Sequence, residues 1–169
     1  GQPGMRRGDP DYFALYVGNH MLGGSGLVSR LSNEIREKRG LSYSTYSYFI
    51  PMRENGPYTM GLQTRNESAQ EALKVLRDEL KAFVEKGPTD EELKASKMNI
   101  TGGFPLRIAS NRNIVGYIAM IGFYDLPLNY LDEFNAKVEA VTREDIMDAF
   151  KRRVNPDKMA TVMVGQKKE

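Results

Sequence analysis

Residues 27–47, LVSRLSNEIREKRGLSYSTYS, combine a helix pattern, a stop and a strand pattern in one short segment. Apolar residues recur every fourth position and therefore share one face of a helix. They are Leu27, Leu31 and Ile35. Ser29 can cap the start of this helix, and Gly40 can end it because glycine adopts the left-handed conformation without steric cost. Residues 41–50 are rich in tyrosine, serine and threonine, which is typical of a half-buried strand.

The same segment brings two hydrogen-bond donors to the corner between the predicted helix and strand. Arg36 stands one turn from the helix end, and Tyr43 stands near the start of the strand. Both side chains donate, and arginine keeps its charge at any relevant pH. Such a pair can hold a peptide carbonyl or an oxyanion forming on it. On spacing alone, a solvated arginine and a partly buried tyrosine remain the more common interpretation.

Length and composition exclude several classes of protein. A chain of 169 residues with 40% hydrophobic and 27% charged residues is typical of one soluble globular domain. The net charge is only +2, and no basic stripe favours nucleic acid. The apolar runs are too short for a membrane span. The absence of cysteine excludes disulfides, thiol catalysis and cysteine–zinc sites.

The periodicity of the whole chain predicts the element order α α β β α α α α β. Helices and strands do not alternate strictly, so we predict an α+β fold, an antiparallel sheet with helices packed on one face. Pro105 is expected to break a helix. The predicted helices are residues 11–22, 27–39, 67–86, 89–100, 106–123 and 142–153, with a short helical turn at 125–134; the predicted strands are residues 41–50, 58–65 and 159–164.

Catalytic residues of the usual kinds are missing. His20 is the one histidine, so neither a histidine-based zinc site nor a serine–histidine–aspartate triad can be assembled. We interpret His20 as a helix-face residue. The carboxylates Glu34, Glu37 and residues 90–92 are interpreted as helix-surface and capping charges. We therefore predict no catalytic residue, metal or cofactor in this chain.

Five motifs give the chain a resemblance to the second, zinc-free domain of the pitrilysin/insulinase-type zinc metallopeptidases, which include the mitochondrial processing peptidases. They are SRL, IREKRGLSYS, GPYTMGLQT, GFPLRIASN and TVMVG. The resemblance extends over the whole chain. It implies that Arg36 and Tyr43 bind substrate near the scissile bond. It also implies a partner domain, fused or on a separate subunit, that carries zinc in an H-x-x-E-H motif and encloses a peptide with this domain.

The glycines Gly23, Gly24 and Gly26 leave three interpretations open. A turn between two helices is favoured. A phosphate-binding loop is disfavoured, because Gly24 stands where that motif requires lysine. The resemblance adds a third interpretation, since a longer glycine-rich loop at this place contacts substrate in one processing-peptidase subunit. The three glycines are thus a candidate substrate loop.

The resemblance also implies an alternative function and several expectations about the complete protein. A structural or assembly subunit, related to the bc1 core proteins and without proteolytic activity, is the alternative. Residues 1–169 are expected to form one domain that lacks most of its first strand, with residues 166–169 frayed or entering a linker. A homodimer or heterodimer is compatible with this resemblance. Bacterial periplasm and cytoplasm both suit a cysteine-free chain.

Overall fold

A three-stranded antiparallel sheet lies at the centre of the fold, in the order β1–β3–β2. The computed structural model describes residues 1–165. The strands are β1 (Gln2–Pro3), β2 (Ser44–Phe49) and β3 (Pro57–Gln63). Gln2 lies opposite Tyr58, and Ser44 lies opposite Gln63. Both pairings are antiparallel, as predicted from the strand order.

Helices cover one face of this sheet. Thr45 and Ser47 of β2 are buried, whereas Tyr46 and Tyr48 between them are 39% and 47% exposed on the other face. The alternation follows from the two-residue period of a strand. The α+β architecture predicted from the sequence is confirmed. The helices are α1 (Tyr12–Asn19), α2 (Ala69–Lys86), α3 (Asp90–Arg107), α4 (Asn111–Phe123), α5 (Tyr130–Ala140) and α6 (Arg143–Arg153).

The hydrophobic core lies between the sheet and the helices. Phe150 of α6 packs edge-on against Phe83 of α2, with ring centroids 4.9 Å apart. Tyr58 of β3 is fully buried and stacks on Phe49 at 4.1 Å. Aromatic pairs of this kind add to the burial of apolar area. No helix within residues 1–165 has both the length and the apolar character needed to cross a bilayer.

Two helices begin with capping boxes, a pattern readable in the sequence as a threonine followed three residues later by glutamate or aspartate. Thr89 accepts a hydrogen bond from the Glu92 N–H at 3.2 Å, and the Glu92 carboxylate accepts one from the Thr89 N–H at 2.7 Å. Thr142 and Asp145 make the same exchange at the start of α6. Each box satisfies backbone donors that the first helical turn leaves without partners.

The helix predicted to begin at Leu27 begins later. Gly26–Val28 forms a 3₁₀ turn in which Leu27 is 62% exposed. Ser29 has an extended backbone, and the helical stretch follows it. Leu31 and Ile35 are fully buried, so two of the three predicted positions lie on the core face. The extended Ser29 separates Leu27 from the helix and prevents it from sharing that face.

Pro105 does not break the helix that contains it. α3 continues through this proline to Arg107, and the interruption falls at residues 108–110. The proline lies in the last turn of α3, where the missing N–H removes one hydrogen bond just before the helix ends. Ser110 then caps α4 by accepting from the Asn113 N–H at 3.2 Å.

The helical turn predicted at residues 125–134 is instead the full helix α5, which begins after Pro127 and reaches Ala140. Its buried residues are Tyr130, Phe134 and Val138. Their four-residue spacing was a readable helix signal, and Phe134 stacks on Phe104 of α3 at 4.7 Å.

The strand predicted at residues 159–164 is not formed. This segment meets the sheet through one pair of backbone hydrogen bonds: the Gly1 amine donates to Ala160 O at 2.8 Å, and the Ala160 N–H donates to Gly1 O at 2.9 Å. Within residues 1–165 this pairing does not repeat beyond Ala160, and a strand requires repeated pairing along the segment. The expectation about residues 166–169 lies outside the described residues.

Candidate functional site

The candidate site lies where the π-helical turn Ser32–Glu37 leads into β2. Ser29 starts the turn: its hydroxyl accepts from the Ser32 N–H at 3.3 Å. Gly40 ends it with φ +60°. The Gly40 N–H donates to Arg36 O, and the Leu41 N–H donates to Ile35 O, each at 2.9 Å. These bonds satisfy carbonyls at the helix end and set the direction in which the chain leaves.

The bend that follows is attached to the end of β3. The Ser42 hydroxyl lies 2.6 Å from the carbonyl oxygen of Gln63, and the Thr64 hydroxyl donates to Leu41 O at 2.5 Å. Ser42 also accepts from the Ser44 N–H at 3.2 Å. Such local bonds compete with strand pairing. β2 therefore begins at Ser44, and Tyr43 lies one residue outside the strand in which it was predicted.

Arg36 and Tyr43 both remain accessible at this corner. Tyr43 is 92% exposed and makes no hydrogen bond or ring contact with residues 1–165. The Arg36 side chain is 34% exposed, and its ionic contact is with the adjacent Glu37 at 3.4 Å. Glu34 binds Lys38 and Arg39 instead. Neither donor is sealed in the interior.

Glu34, in the same turn as Arg36, is held in its charged form by two cations. Hydrogen bonds from Lys38 and then from Arg39 lower the pKa of Glu34 below its ordinary value. Glu34 binds these two cations, and the ionic contact of Arg36 is made through its Nε to Glu37. The terminal N–H groups of the Arg36 guanidinium can therefore donate to an incoming carbonyl oxygen or carboxylate.

The three glycines do not form one surface loop. Gly23 and Gly24 belong to a π-helical turn, His20–Gly24, that continues α1. A Cβ on Gly23 would lie 2.4 Å from Ser47 Oγ, so this buried residue allows α1 to approach β2. Gly24 is partly exposed, and Gly26 is exposed with φ +65°. Their contact with substrate stays a prediction, with Gly24 and Gly26 as the accessible members.

His20 is a core residue that cannot serve as a zinc ligand. Its Nδ1 lies 2.9 Å from the Ser96 hydroxyl, and its Nε2 lies 3.2 Å from Asn99 Oδ1. Burial lowers the pKa of His20, the Asn99 hydrogen bond opposes that shift, and the charge of Arg107 adds to it. Within residues 1–165 no group of three or more histidine, cysteine, aspartate or glutamate side chains could hold a metal. The residues that the structure describes therefore do not fit a zinc ion.

Sequence analysis missed a buried polar pair that positions β2. Asn19 Nδ2 donates to Ser47 O at 2.8 Å, and the Ser47 hydroxyl donates to Asn19 Oδ1 at 2.6 Å. Both residues are buried. A buried amide needs such partners, because its desolvation is costly. An asparagine within an otherwise apolar helix end was the signal available.

A second missed feature is an ion-pair cluster between the segment before α1 and the end of α6. Arg153 donates to Asp9 and to Asp11 at 2.7 Å each, and Arg152 forms a fork with Asp11. These bonds lower the pKa of the Asp11 carboxyl. The pairs span more than 140 residues in sequence, so no local pattern reveals them.

The structure is thus an α+β domain with helices on one face of its sheet and two accessible hydrogen-bond donors, Arg36 and Tyr43. Within residues 1–165 it has no metal-binding cluster of its own. Residues 1–100 match the family described as the peptidase M16 inactive domain. The chain belongs to this family, and the resemblance inferred from its motifs is confirmed.

Similar proteins agree with this assignment. A Streptomyces coelicolor protein named as an uncharacterized zinc protease is 33% identical over 146 residues, which are 86% of this chain and 32% of that protein. A Helicobacter pylori protein named as a non-peptidase homolog is 30% identical over 86% of this chain and 34% of its own length. The crystal structure of a peptidase M16 inactive domain from Pseudomonas fluorescens superposes with a TM-score of 0.87 and 42% identity, over 92% of this chain and 37% of that one. The chain thus spans about a third of these relatives.

Proposed function

We propose that this chain is the substrate-binding, non-catalytic domain of a zinc-dependent endopeptidase. The observation that carries the proposal is the corner between the turn Ser32–Glu37 and β2, where the side chains of Arg36 and Tyr43 are both accessible to a peptide. Membership of the M16 inactive-domain family supports it, as does the Streptomyces relative named as a zinc protease. The peptide would be enclosed between this domain and a catalytic M16 domain, fused or on a separate subunit.

The two donors would act on the substrate backbone. Tyr43 would donate its O–H, and Arg36 its N–H groups, to peptide carbonyl oxygens, including the oxygen that gains negative charge. A donor placed for that charge is worth roughly 2.7–4 kcal/mol when water is excluded. The zinc of the partner's H-x-x-E-H motif would activate water. Gly24 and Gly26 would contact the same peptide, and closure of the two half-shells would exclude solvent.

The proposal is tested on the complete protein that contains the H-x-x-E-H domain. Arg36→Ala and Tyr43→Phe are each expected to lower kcat/KM for a quenched-fluorescent peptide by about 10²–10³-fold. Arg53→Ala and Tyr48→Phe are matched controls, since Arg53 pairs with Asp125 on the exposed surface and Tyr48 stacks on Tyr46. Controls and wild type should cleave alike. Wild-type kinetics in both the Arg36 and Tyr43 variants would reject the proposal.

A structural or assembly subunit without proteolytic activity is the second candidate. It is favoured by the Helicobacter relative, which is named as a non-peptidase homolog at 30% identity. The two functions differ in the partner they require. Isolation of the chain from its own cells should recover an H-x-x-E-H protein under the first proposal. Recovery of a stable complex in which no chain carries that motif would support the second.

A further inference from the structure

A pocket of about 290 Å³ lies between α1, the end of β2 and the last turn of α3. At ~30 Å³ for each water molecule, it has room for roughly ten waters. Neither Arg36 nor Tyr43 lines this pocket, so it is separate from the candidate site at the corner. Arg107, which does line it, belongs to the motif GFPLRIASN, for which the proposed function has no role.

Two arginines and no carboxylate line the pocket. The arginines are Arg7, in the segment before α1, and Arg107. Within residues 1–165 neither forms an ion pair, since the hydrogen bonds of Arg7 go to a methionine and a tyrosine and that of Arg107 goes to a tyrosine. By contrast, the partly buried Arg30 and Arg153 each bind a carboxylate. The positive charge of the pocket is therefore not neutralised by the described part of the chain.

Arg7 is half-buried among aromatic rings and weak acceptors. Its guanidinium carbon lies 4.8 Å from the ring centroid of Tyr12 and 5.8 Å from that of Tyr130. Its Nη2 lies 2.7 Å from Met120 Sδ, and its buried Nε has no hydrogen-bond partner among residues 1–165. Ring faces attract a cation, but a charge taken out of water without an ionic partner remains costly. An anion that enters the pocket would therefore stabilise Arg7.

Arg107 reaches the pocket from the last turn of α3. Its Nη1 donates to the Tyr16 hydroxyl at 2.8 Å. Because this hydroxyl accepts from Arg107, its own proton can be donated to another group. Burial raises the pKa of Tyr117, and the charges of Arg107 and Arg7 both oppose that shift. The two arginines thus act on the same region of the molecule.

We propose that this pocket binds a small dianionic oxyanion, a phosphate group or a dicarboxylate, between the guanidiniums of Arg7 and Arg107. A guanidinium donates through a planar fork that matches the oxygens of carboxylate and phosphate. Two cations without a lining carboxylate match two negative charges. The Tyr16 hydroxyl supplies a neutral donor beside them. The volume of the pocket admits either anion together with the few atoms attached to it.

The test measures the binding of inorganic phosphate and of succinate to the 169-residue chain by calorimetry, at neutral pH and constant ionic strength. Arg107→Gln should weaken binding by about tenfold or more, because it removes a charged donor. Arg112→Gln is the matched control, since it removes the same charge from an exposed side chain outside the pocket. Its affinity should stay within about twofold of wild type, because exposed charges are screened. Arg7→Lys keeps a cation against the tyrosine rings but loses the fork, and should weaken binding by about tenfold.

The position of the bound anion is read from His20. This residue lines the pocket and is the single histidine of the chain, so its imidazole Hε1 signal in NMR spectra reports on this site alone. The signal should shift along a saturable curve that has the affinity measured by calorimetry. In Arg107→Gln, about tenfold more phosphate or succinate should be needed for the same shift.

The relative affinities of the two probes identify the source of the anion. Tighter binding of phosphate indicates a phosphorylated ligand, and tighter binding of succinate indicates a dicarboxylic acid. Two results would overturn the proposal. One is that neither probe binds more tightly than the monoanion acetate, and the other is that Arg107→Gln and Arg112→Gln both bind as wild type does. Neither result depends on peptidase activity, so this test is independent of the proposed function.

Discussion

The Ser42 hydroxyl donates to the main-chain carbonyl of Gln63 across 2.6 Å and so joins the bend before β2 to the end of β3. Tyr43 follows Ser42 directly, and its ring is exposed, with no hydrogen bond or ring contact to any residue in the described part of the chain. The position of the phenol therefore depends on the hydrogen bond of its neighbour. A buried hydroxyl, rather than the surface tyrosine, determines the geometry of the candidate site.

Ser42→Ala should loosen this bend. Loss of the hydroxyl removes a net stabilisation of about 0.5–1.5 kcal/mol, measured as the free energy of unfolding in urea. In the complete peptidase it should also lower kcat/KM, because Tyr43 is no longer held at the corner. Ser44→Ala is the matched control, since the Ser44 side chain is exposed. A Ser42 variant as stable and active as the Ser44 variant would contradict this dependence.

Gly23→Ala should destabilise the fold by overpacking. Its Cβ would lie 2.4 Å from Ser47 Oγ and 2.7 Å from Ser47 N, and the backbone atom cannot move aside easily. Overpacking of this kind costs about 1–3 kcal/mol. Gly116→Ala in α4 is the control, because its Cβ meets no atom within 4 Å. That change should stabilise by about 0.5–1 kcal/mol through helix propensity. Thermal unfolding of both variants gives the comparison.

His20 should make stability depend on pH near neutrality. Its pKa is lowered in the folded chain from the ordinary value of 6.5, so the unfolded chain binds the proton more readily. The contribution of His20 to the free energy of unfolding is therefore complete above pH 6.5 and is lost as the pH falls below that value. Protonation of Nδ1 would remove the acceptor that faces the Ser96 hydroxyl.

The pH effect is measured as the difference between wild type and His20→Gln in urea unfolding at several pH values. Other groups titrate alike in both proteins, and the lowered pKa of Asp11 contributes only below its ordinary value of 3.8. The wild type should lose stability across this window relative to the variant. Parallel pH profiles would show that His20 is not the titrating group.

Asp9→Asn should weaken the attachment of the segment before α1 to α6. The Asp9 side chain is only 5% exposed, and it accepts from Arg153 at 2.7 Å. Loss of a hydrogen bond between charged groups costs about 1.5–3 kcal/mol. Asp148→Asn is the control, because Asp148 is 65% exposed and pairs with Arg152 on the surface. Its free energy of unfolding should be almost unchanged. Equal effects of the two substitutions would refute the ranking by burial.

Local signals predicted much of the fold. The capping boxes at Thr89 and Thr142, the ending at Gly40 and the half-buried character of β2 depend on residues close in sequence, and each is present in the structure. The predictions at Pro105 and at residues 159–164 were wrong because the outcome depended on where each residue lies in the folded chain, and not on its type alone. Pro105 was compatible with α3 because it fell in the last turn. Residues 159–164 have strand composition, but a strand forms only beside a partner edge.

The candidate site was likewise predictable from the sequence only in part. The types and spacing of Arg36 and Tyr43 were readable, and the family that the surrounding motifs suggested is confirmed. Their accessibility was not readable, because the bend that carries Tyr43 is attached through Ser42 to Gln63, a residue distant in sequence. Their contact with a peptide remains the proposal to be tested.

By itself, the sequence determined the family, the α+β class and the absence of histidine and cysteine ligands for a metal, since these depend on residue type and short-range order. Tertiary structure alone decided that His20 is buried between Ser96 and Asn99 and that Asp9 meets Arg153. The physical reason is that these relationships join residues distant in sequence. Their energies come from burial and pairing, which exist only once the chain has folded.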